Sequence, residues 1–484
     1  MMTSFSLVEL ATAINAELNA AGSQKVAITA ENINTDTRSI ATGDIFLALR
    51  GDNFDGHHFL SQAQKSGAVA AIVDQDYVDN NRELLDQSFP LLVVANTLFA
   101  LGQASLWNRK KFNGPLIAIT GSAGKTSVKS MAAHMMQLVG ECWSTPGNFN
   151  NHIGAPLTLL GLEPQHQAAV IELGASGEGE IAYSAQFTKP DVAIITNVSG
   201  AHLEGFGSIE TIMRTKGEII DSLSAEGCAV LNADDEFYAD WALRAESRKV
   251  LSFGIENYAD VMAKNIVCDE GGSRFDLIYA QQSTPCSISL LGEHNVLNAL
   301  SAIAAGIAIH LDPVKICRQL KNLPAVPGRL QWVDGQDGIR ILNDSYNASP
   351  ASVKAAIDVL ALWKDKAWLV LGDMAELGDD SAAIHAEMGE YASKAGIANF
   401  VATGSACYHA VEAFKKNISN DNSKRNADWF KQQGELLNYI NNNKEPGQVF
   451  LVKGSRSAGM DKIVNALSIK DREDSVNSIG KGKV

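Results

Sequence analysis

The sequence contains no CxxC pair. Its six cysteines, Cys142, Cys228, Cys268, Cys286, Cys317 and Cys407, are scattered through 484 residues. That spacing excludes the usual zinc and disulfide frameworks and fits reduced thiols. No apolar run reaches membrane-spanning length. No basic segment leads into an apolar core at the start, where "MMTSFSLVELATAINAEL" carries acidic residues at helical spacing, so no secretory signal is expected. The net charge is −15 and no long basic stripe offsets it, which argues against nucleic acid and membrane surfaces as partners. No repeat of solenoid period is present. A soluble, cytoplasmic, monomeric protein is expected, of two to four domains at this length, with 46% hydrophobic residues to fill their cores.

The standard phosphate-binding loop is missing as well. It requires glycine six positions before the lysine, and the residue six before Lys125 is Ile119. What is present is the shorter "TGSAGKTS": Thr120, Gly121, Ser122, Ala123, Gly124, Lys125, Thr126 and Ser127. An apolar β-rich run precedes it and a helical pattern, Lys125–Gly140, follows. Glycines at a strand-to-helix turn free backbone N–H groups toward an anion. Lys125 adds a point charge, and Thr126 can offer a hydroxyl to Mg²⁺. A capped glycine turn is the simpler alternative, and the co-occurrence of strand, loop, lysine, hydroxyl and helix favours phosphate.

The chain divides into three α/β units. Residues 1–110 mix short strands and helices and end near the basic "NRKKFNG". Residues 111–327 alternate strands and helices as a mostly parallel sheet requires, with a hairpin-like stretch at about 248–291. Residues 328–484 follow the Pro- and Gly-rich "LPAVPGRLQWV" and form a second alternating, Rossmann-like unit that lacks the GxGxxG fingerprint. Residues 470–484 are polar and expected to fray.

Glu172 ends the strand in "VIELGAS", where a carboxylate can hold Mg²⁺ or merely solvate a strand end; the loop upstream favours the metal. "TNVSGAHLEGFGS" places His202 and Glu204 in a glycine-rich loop on the same sheet edge. Asn148, Asn150 and Asn151 of "TPGNFNNHIG" could bind a sugar or diphosphate, or equally form turns. Lys216, in the helix-like "IETIMRTKGEII", is indistinguishable from an exposed structural lysine by its local pattern.

"TGSAGKTS", "STPGNFNNHIGAP", "TNVSGAHLEGFGS", "TKGEI", "LLGEHNVLNALSAIA" and "PGR" occur in the order and spacing of the Mur ligases, and the sequence resembles that family over nearly its whole length. The family's phosphate loop has this shortened form. "TDTRSIATGDIFLALRGDNFDGHHF" resembles the UDP-sugar-binding domain of its last two peptide-adding enzymes. "NDSYNASPASVKAAI" and "LGDMAELGDDSAAIHAEMG" resemble the final one, and the DNPR motif of the preceding enzyme is absent.

The resemblance implies a ligase joining D-Ala-D-Ala to UDP-N-acetylmuramoyl-tripeptide with ATP and two Mg²⁺ ions, through an acyl phosphate. It implies that Lys125 contacts phosphate, that Thr126 and Glu172 serve one metal and His202 the second, and that Lys216 carries a CO₂-derived carbamate supporting the second metal. It further implies that Asn295 reads adenine while Arg329 and Asp344 grip the nucleotide. Thr37, Arg38 and Ser39, with the loop Arg50–Gly56, are expected at the uridine end. Tyr346, Asn347, Ser455 and Arg456 are expected near the dipeptide. A folylpolyglutamate synthetase shares the central fold, and a nucleotide-gated switch that ligates nothing remains the alternative outside the ligases.

Overall fold

The computed structural model describes residues 4–19, 28–51, 54–81, 88–199, 203–419 and 425–469. Three sheets organise them. The first has strands β1 (Glu17–Asn19), β2 (Asn32–Asn34), β3 (Asp44–Leu47), β4 (Ala70–Asp74) and β5 (Leu91–Val94) in the order β1-β5-β4-β3-β2. All neighbours are parallel except β1 with β5.

The central sheet contains β6 (Leu116–Thr120), β7 (Cys142–Ser144), β8 (Ala168–Glu172), β9 (Val192–Ile195), β10 (Cys228–Asn232), β11 (Lys249–Gly254), β12 (Val261–Asp269), β13 (Gly272–Tyr279) and β14 (Gln282–Ile288). Its order is β7-β8-β6-β9-β10-β11-β12-β13-β14. The first seven are parallel and the last two antiparallel. Within the stretch expected to be hairpin-like, Lys249–Gly254 instead extends the parallel sheet, and only the strands from Val261 onward form hairpins.

The third sheet has β15 (Gln331–Asp334), β16 (Arg340–Asp344), β17 (Ala367–Gly372), β18 (Asn399–Thr403), β19 (Asn426–Phe430) and β20 (Val449–Lys453), in the order β15-β16-β20-β17-β18-β19. Only its edge strand β15 is antiparallel. β15 falls in a segment whose prolines and glycine mask its pattern. Among the described residues no helix is long and apolar enough to cross a membrane.

The helices form where apolar residues recur on one face. In α1 (Lys125–Met136), Val128, Met131, Ala132, Met135 and Met136 are fully buried on the central sheet. The helix α2 (Glu293–Ala308) is alanine-rich and buried nearly all round. Its small residues let it lie close to α1, and a Cβ at Gly306 would fall 2.4 Å from the sulfur of Met135. The two helices therefore bring the start of α2 beside the loop that opens α1.

Contacts between units are specific. The helix Thr97–Arg109 seats the first unit on the second: Asn108 Nδ2 donates to the carbonyls of Leu159 and Leu162, each at 2.9 Å, and Tyr183 donates to the carbonyl of Leu98 at 2.9 Å. Between the second and third, Glu270 on the β12–β13 turn accepts from Trp363 Nε1 at 3.0 Å and from Arg340 at 2.8 Å, while Arg340 lies 3.8 Å over the Trp332 ring. Ile303 on α2 is fully buried in the central core. Ile303→Ala is expected to cost about 2–5 kcal/mol, read as a lowered urea midpoint for the central unit in an unfolding titration of the full chain.

Candidate active site

The loop after β6 is shaped by contacts that leave no room for side chains. Gly121 has φ +145° and Gly124 φ +81°. A Cβ would lie 1.9 Å from Thr196 Oγ1 at the first and 2.4 Å from Asn298 Oδ1 at the second. Thr196 follows β9, and Asn298 belongs to α2. Asn197 also holds the loop, accepting from Ala123 N–H through its side chain at 3.0 Å and from Ser122 N–H through its carbonyl at 2.9 Å. Ser127 is buried in the first turn of α1, and the Thr120 hydroxyl is buried with no hydrogen-bond partner among the described residues.

Lys125 Nζ donates to the carbonyls of Gly121, at 2.5 Å, and Ser122, at 3.3 Å. Burial pushes its ammonium below the ordinary lysine value, and Arg329 adds to the shift while Glu172 opposes it. A buried ammonium of this kind gains from an anionic ligand that would share its burial.

Glu172, at the end of β8, is only 2% exposed. Thr126 Oγ1 lies 3.2 and 3.4 Å from its two carboxylate oxygens, and Asn150 Nδ2 donates to it at 2.7 Å. Lys129 Nζ stands 3.4 Å away and donates to the carbonyls of Thr145 and Gly147, each at 2.9 Å. A hydroxyl beside an anchored carboxylate is a hard-oxygen donor set of the kind Mg²⁺ takes.

Lys216 lies on the helix Ile209–Asp221, whose start Ser208 caps by accepting from Thr211 N–H. It is 2% exposed, with Nζ 5.3 Å from the centre of the Phe206 ring. Burial, reinforced by Lys125 and opposed by Glu180 and Glu218, pushes it down to about 7. His202 and the side chain of Glu204 lie outside the described residues, as do two residues of the loop Arg50–Gly56.

Around α2, Asn295 Nδ2 donates to the Leu291 carbonyl at 2.8 Å, and its Oδ1 accepts from Asn298 at 3.2 Å. Of the two amides it is Asn298 that touches the loop, at Gly124. His294 is pushed down to about 4 by burial, with Lys453 contributing and Asp344 opposing. Arg329 stacks 4.5 Å over Tyr346, and its Nε is buried without a partner among the described residues. Asp344, at the end of β16, is 2.5 Å from Lys453 Nζ.

The other candidates are more dispersed. Asn148 is exposed, and Asn151 accepts from Gly154 N–H at 2.7 Å, closing a turn at the start of a helix. Arg38 is turned onto Asp36 of its own loop, at 2.6 Å; Ser39 bonds to Asn34 and to the Asp36 carbonyl, and Thr37 is half-buried between them. Asn347 is exposed; Ser455 is buried and donates to the Asp373 carbonyl at 2.6 Å, and Arg456 is exposed, 3.8 Å from Asp461. Asp373, His385 and Cys407 also cluster as metal ligands could. Both His385 nitrogens are already engaged, one by Met374 N–H at 3.0 Å and one by the Ser381 carbonyl at 2.7 Å, so the cluster reads as structural.

Sequence reading missed Lys129, Asn298 and Lys453. The first lies four residues after Lys125 on the same helix face, the second three after Asn295, and the third ends an apolar strand, "VFLVK".

The Lys216 shift has a signed consequence. Between pH about 7 and the ordinary value of 10.5, the unfolded chain holds a proton on this amine that the folded chain has released, so stability rises with pH across that window. The unfavourable burial of the charge is fully present below pH 7. Lys216→Met should flatten that part of the melting-temperature-versus-pH curve, measured by calorimetry from pH 6 to 10; an unchanged slope would exclude this amine as the source.

Three family models match in order: "Mur ligase family, catalytic domain" at residues 29–106, "Mur ligase middle domain" at 119–306 and "Mur ligase, glutamate ligase domain" at 328–456. The UDP-N-acetylmuramoyl-tripeptide–D-alanyl-D-alanine ligase of Escherichia coli (strain K12) is 39% identical over 470 residues, 96% of this chain and 99% of that protein. A crystal structure of MurF from Acinetobacter baumannii matches with a TM-score of 0.86 at 32% identity, covering 96% of this chain and 98% of that one. That of MurF ligase from Thermotoga maritima in complex with ADP matches with a TM-score of 0.77 at 27% identity, covering 90% and 96%. With three family models in order and a curated relative matched end to end, the chain belongs to the Mur ligase family.

Proposed function

We propose that this protein is an ATP-dependent amide ligase that joins D-alanyl-D-alanine to UDP-N-acetylmuramoyl-tripeptide and releases ADP and phosphate. The relatives' shared name and the ADP complex of the Thermotoga protein support the substrates. The observation that carries the reading is the glycine–lysine loop set beside a buried carboxylate: Thr126 Oγ1, next to Lys125 at the start of α1, lies 3.2 Å from Glu172 at the end of β8.

A carboxylate resists amine attack because oxide is a poor leaving group. In the first step an oxygen of the tripeptide carboxylate bonds to the γ-phosphorus of ATP, and the bond from that phosphorus to the β–γ bridging oxygen breaks, leaving ADP. In the second the dipeptide nitrogen bonds to the carbonyl carbon, the C–O bond to phosphate breaks, and the nitrogen loses its proton to a base or solvent. Lys125 exchanges the Gly121 and Ser122 carbonyls for phosphate oxygens. Arg329, with its unpartnered Nε, screens the polyphosphate. Asp344 suits ribose hydroxyls, and Asn298 joins Asn295 in lining the base side of the loop.

Thr126 and Glu172 would hold one Mg²⁺, with His202 and Lys216 serving a second; Mg²⁺ bound there would neutralise charge shared by the phosphates and the incoming carboxylate. Lys216 suits carbamylation because burial lowers its amine to about 7 and so favours the neutral form: the nitrogen of that neutral amine bonds to CO₂ carbon and one proton leaves to solvent, turning a neutral group into an anion. Asn148, Asn150 and Asn151 would meet the sugar and diphosphate. Thr37, Arg38, Ser39 and the loop Arg50–Gly56 would meet uridine, and Tyr346, Asn347, Ser455 and Arg456 the dipeptide.

The test is an assay with Mg-ATP, UDP-N-acetylmuramoyl-tripeptide and D-Ala-D-Ala, each omitted in turn. Phosphate release requiring both substrates, with a new UDP-pentapeptide mass, is expected; hydrolysis indifferent to either would overturn the reading. Lys125→Ala and Glu172→Gln should each lower kcat by about 10²–10³-fold, and single-turnover measurements would place the loss in phosphoryl transfer. With ¹³C-bicarbonate, the wild type should show a carbamate NMR signal that Lys216→Ala lacks. A fully active wild type without that signal would count against the modification.

A further inference from the structure

Among the described residues, Lys453 is a buried cation that the mechanism above does not use. Lys453 ends β20 directly opposite Asp344 in the parallel register of β16 and β20, and it is 1% exposed. Its ammonium holds Asp344 Oδ2 at 2.5 Å and donates to the Asn347 carbonyl at 2.9 Å. Two parts of one connection with different expected ligands are thus tied to a single nitrogen: the strand end expected to grip the nucleotide and, three residues on, the turn expected near the dipeptide.

The chain after Lys453 is equally constrained. Ser455 donates to the Asp373 carbonyl twice, from Oγ at 2.6 Å and from its backbone N–H at 3.0 Å. A Cβ on Gly454 would meet Met460 at 2.6 Å and Gly372 Cα at 3.2 Å. The ends of β17 and β20 are therefore locked together. The helices that follow them pack on opposite faces of the sheet: Ser381–Lys394 contributes Met388 and Ala392 to one core, and Asp461–Leu467 contributes Ile463 and Val464 to the other. Open α/β sheets bind ligands at such a switch point, beyond the carboxyl ends of the strands.

We propose that Lys453 is a positioning residue that couples the nucleotide grip of Asp344 to the acceptor-dipeptide site formed by Tyr346, Asn347 and the Ser455–Arg456 turn. The inference rests on the ligase reading above. A buried ion pair contributes little net stability compared with apolar residues of the same volume; what it supplies is direction. The ammonium fixes one of the Asp344 oxygens, leaving the remaining lone pairs for a ribose hydroxyl. Its second hydrogen bond sets the Asn347 carbonyl, and with it the turn on which the amine nucleophile must be presented.

The test compares the wild type with Lys453→Met, which has similar length and no charge, and with Lys453→Arg. KM for each of the three substrates is measured alongside kcat and melting temperature. Lys453→Met is expected to raise KM for ATP and for D-Ala-D-Ala by about tenfold or more while leaving KM for UDP-N-acetylmuramoyl-tripeptide within about twofold. In an Asp344→Asn background its effect on ATP should vanish while the effect on the dipeptide persists. Lys453→Arg keeps the charge but not the dual contact, so it should recover the ATP constant better than the dipeptide constant. If Lys453→Met does not fold, this Arg variant decides. Unchanged constants, or equal loss for all three substrates tracking a lowered melting temperature, would overturn the inference. A wild type that forms no UDP-pentapeptide would overturn the ligase reading itself and this inference with it, whereas a ligating wild type beside a Lys453→Met of unaltered constants would overturn this inference alone.

Discussion

The close approach of Thr196 and Asn298 to the loop Thr120–Ser127 is the constraint on which the site depends. The first group comes from the strand beside β6 and the second from a helix more than 170 residues later in the chain. Both reach positions that a Cβ would occupy, so Gly121 and Gly124 can adopt their positive φ and the loop can lie flat against its supports. The amides of Asn295 and Asn298 and the ammonium of Lys125 are brought together by packing that neither element could produce alone.

Charge is arranged in the same economical way. Lys129 and Lys453 are buried against Glu172 and Asp344, so their desolvation is offset within the fold. Lys125 is satisfied only by carbonyl oxygens, and Lys216 is shifted toward neutrality. The paired lysines hold carboxylates in fixed places. Lys125 and Lys216, which have no carboxylate ion pair among the described residues, are the ones an anion or a carbamate would relieve. The paired carboxylates are thus preorganised, held in place before any ligand arrives.

Parts of this were legible in the sequence for physical reasons. "LIAIT" and "RILND" are bounded, β-rich runs and form strands over those residues. The helical pattern near Asn295 became Glu293–Ala308 because apolar periodicity survives any tertiary context that buries it. Edge strands such as Cys142–Ser144 and Gln331–Asp334 are short and only half-buried, so they carry no continuous apolar signal. Lys216 looked like an exposed lysine because its helix gives no sign of the Phe206 ring and the packing that bury it.

By itself the sequence determined the order of strands and helices, the glycine–lysine loop and the ordered motifs by which the chain resembles its family, since these depend on residues near one another along the chain. Only the tertiary structure decided which carboxylates and lysines meet. Glu172 finds Thr126 and Lys129 across 46 and 43 positions, and Lys453 finds Asp344 across 109. Those pairings follow from strand order and register, which are set by how whole sheets bury their faces rather than by any local pattern of residues.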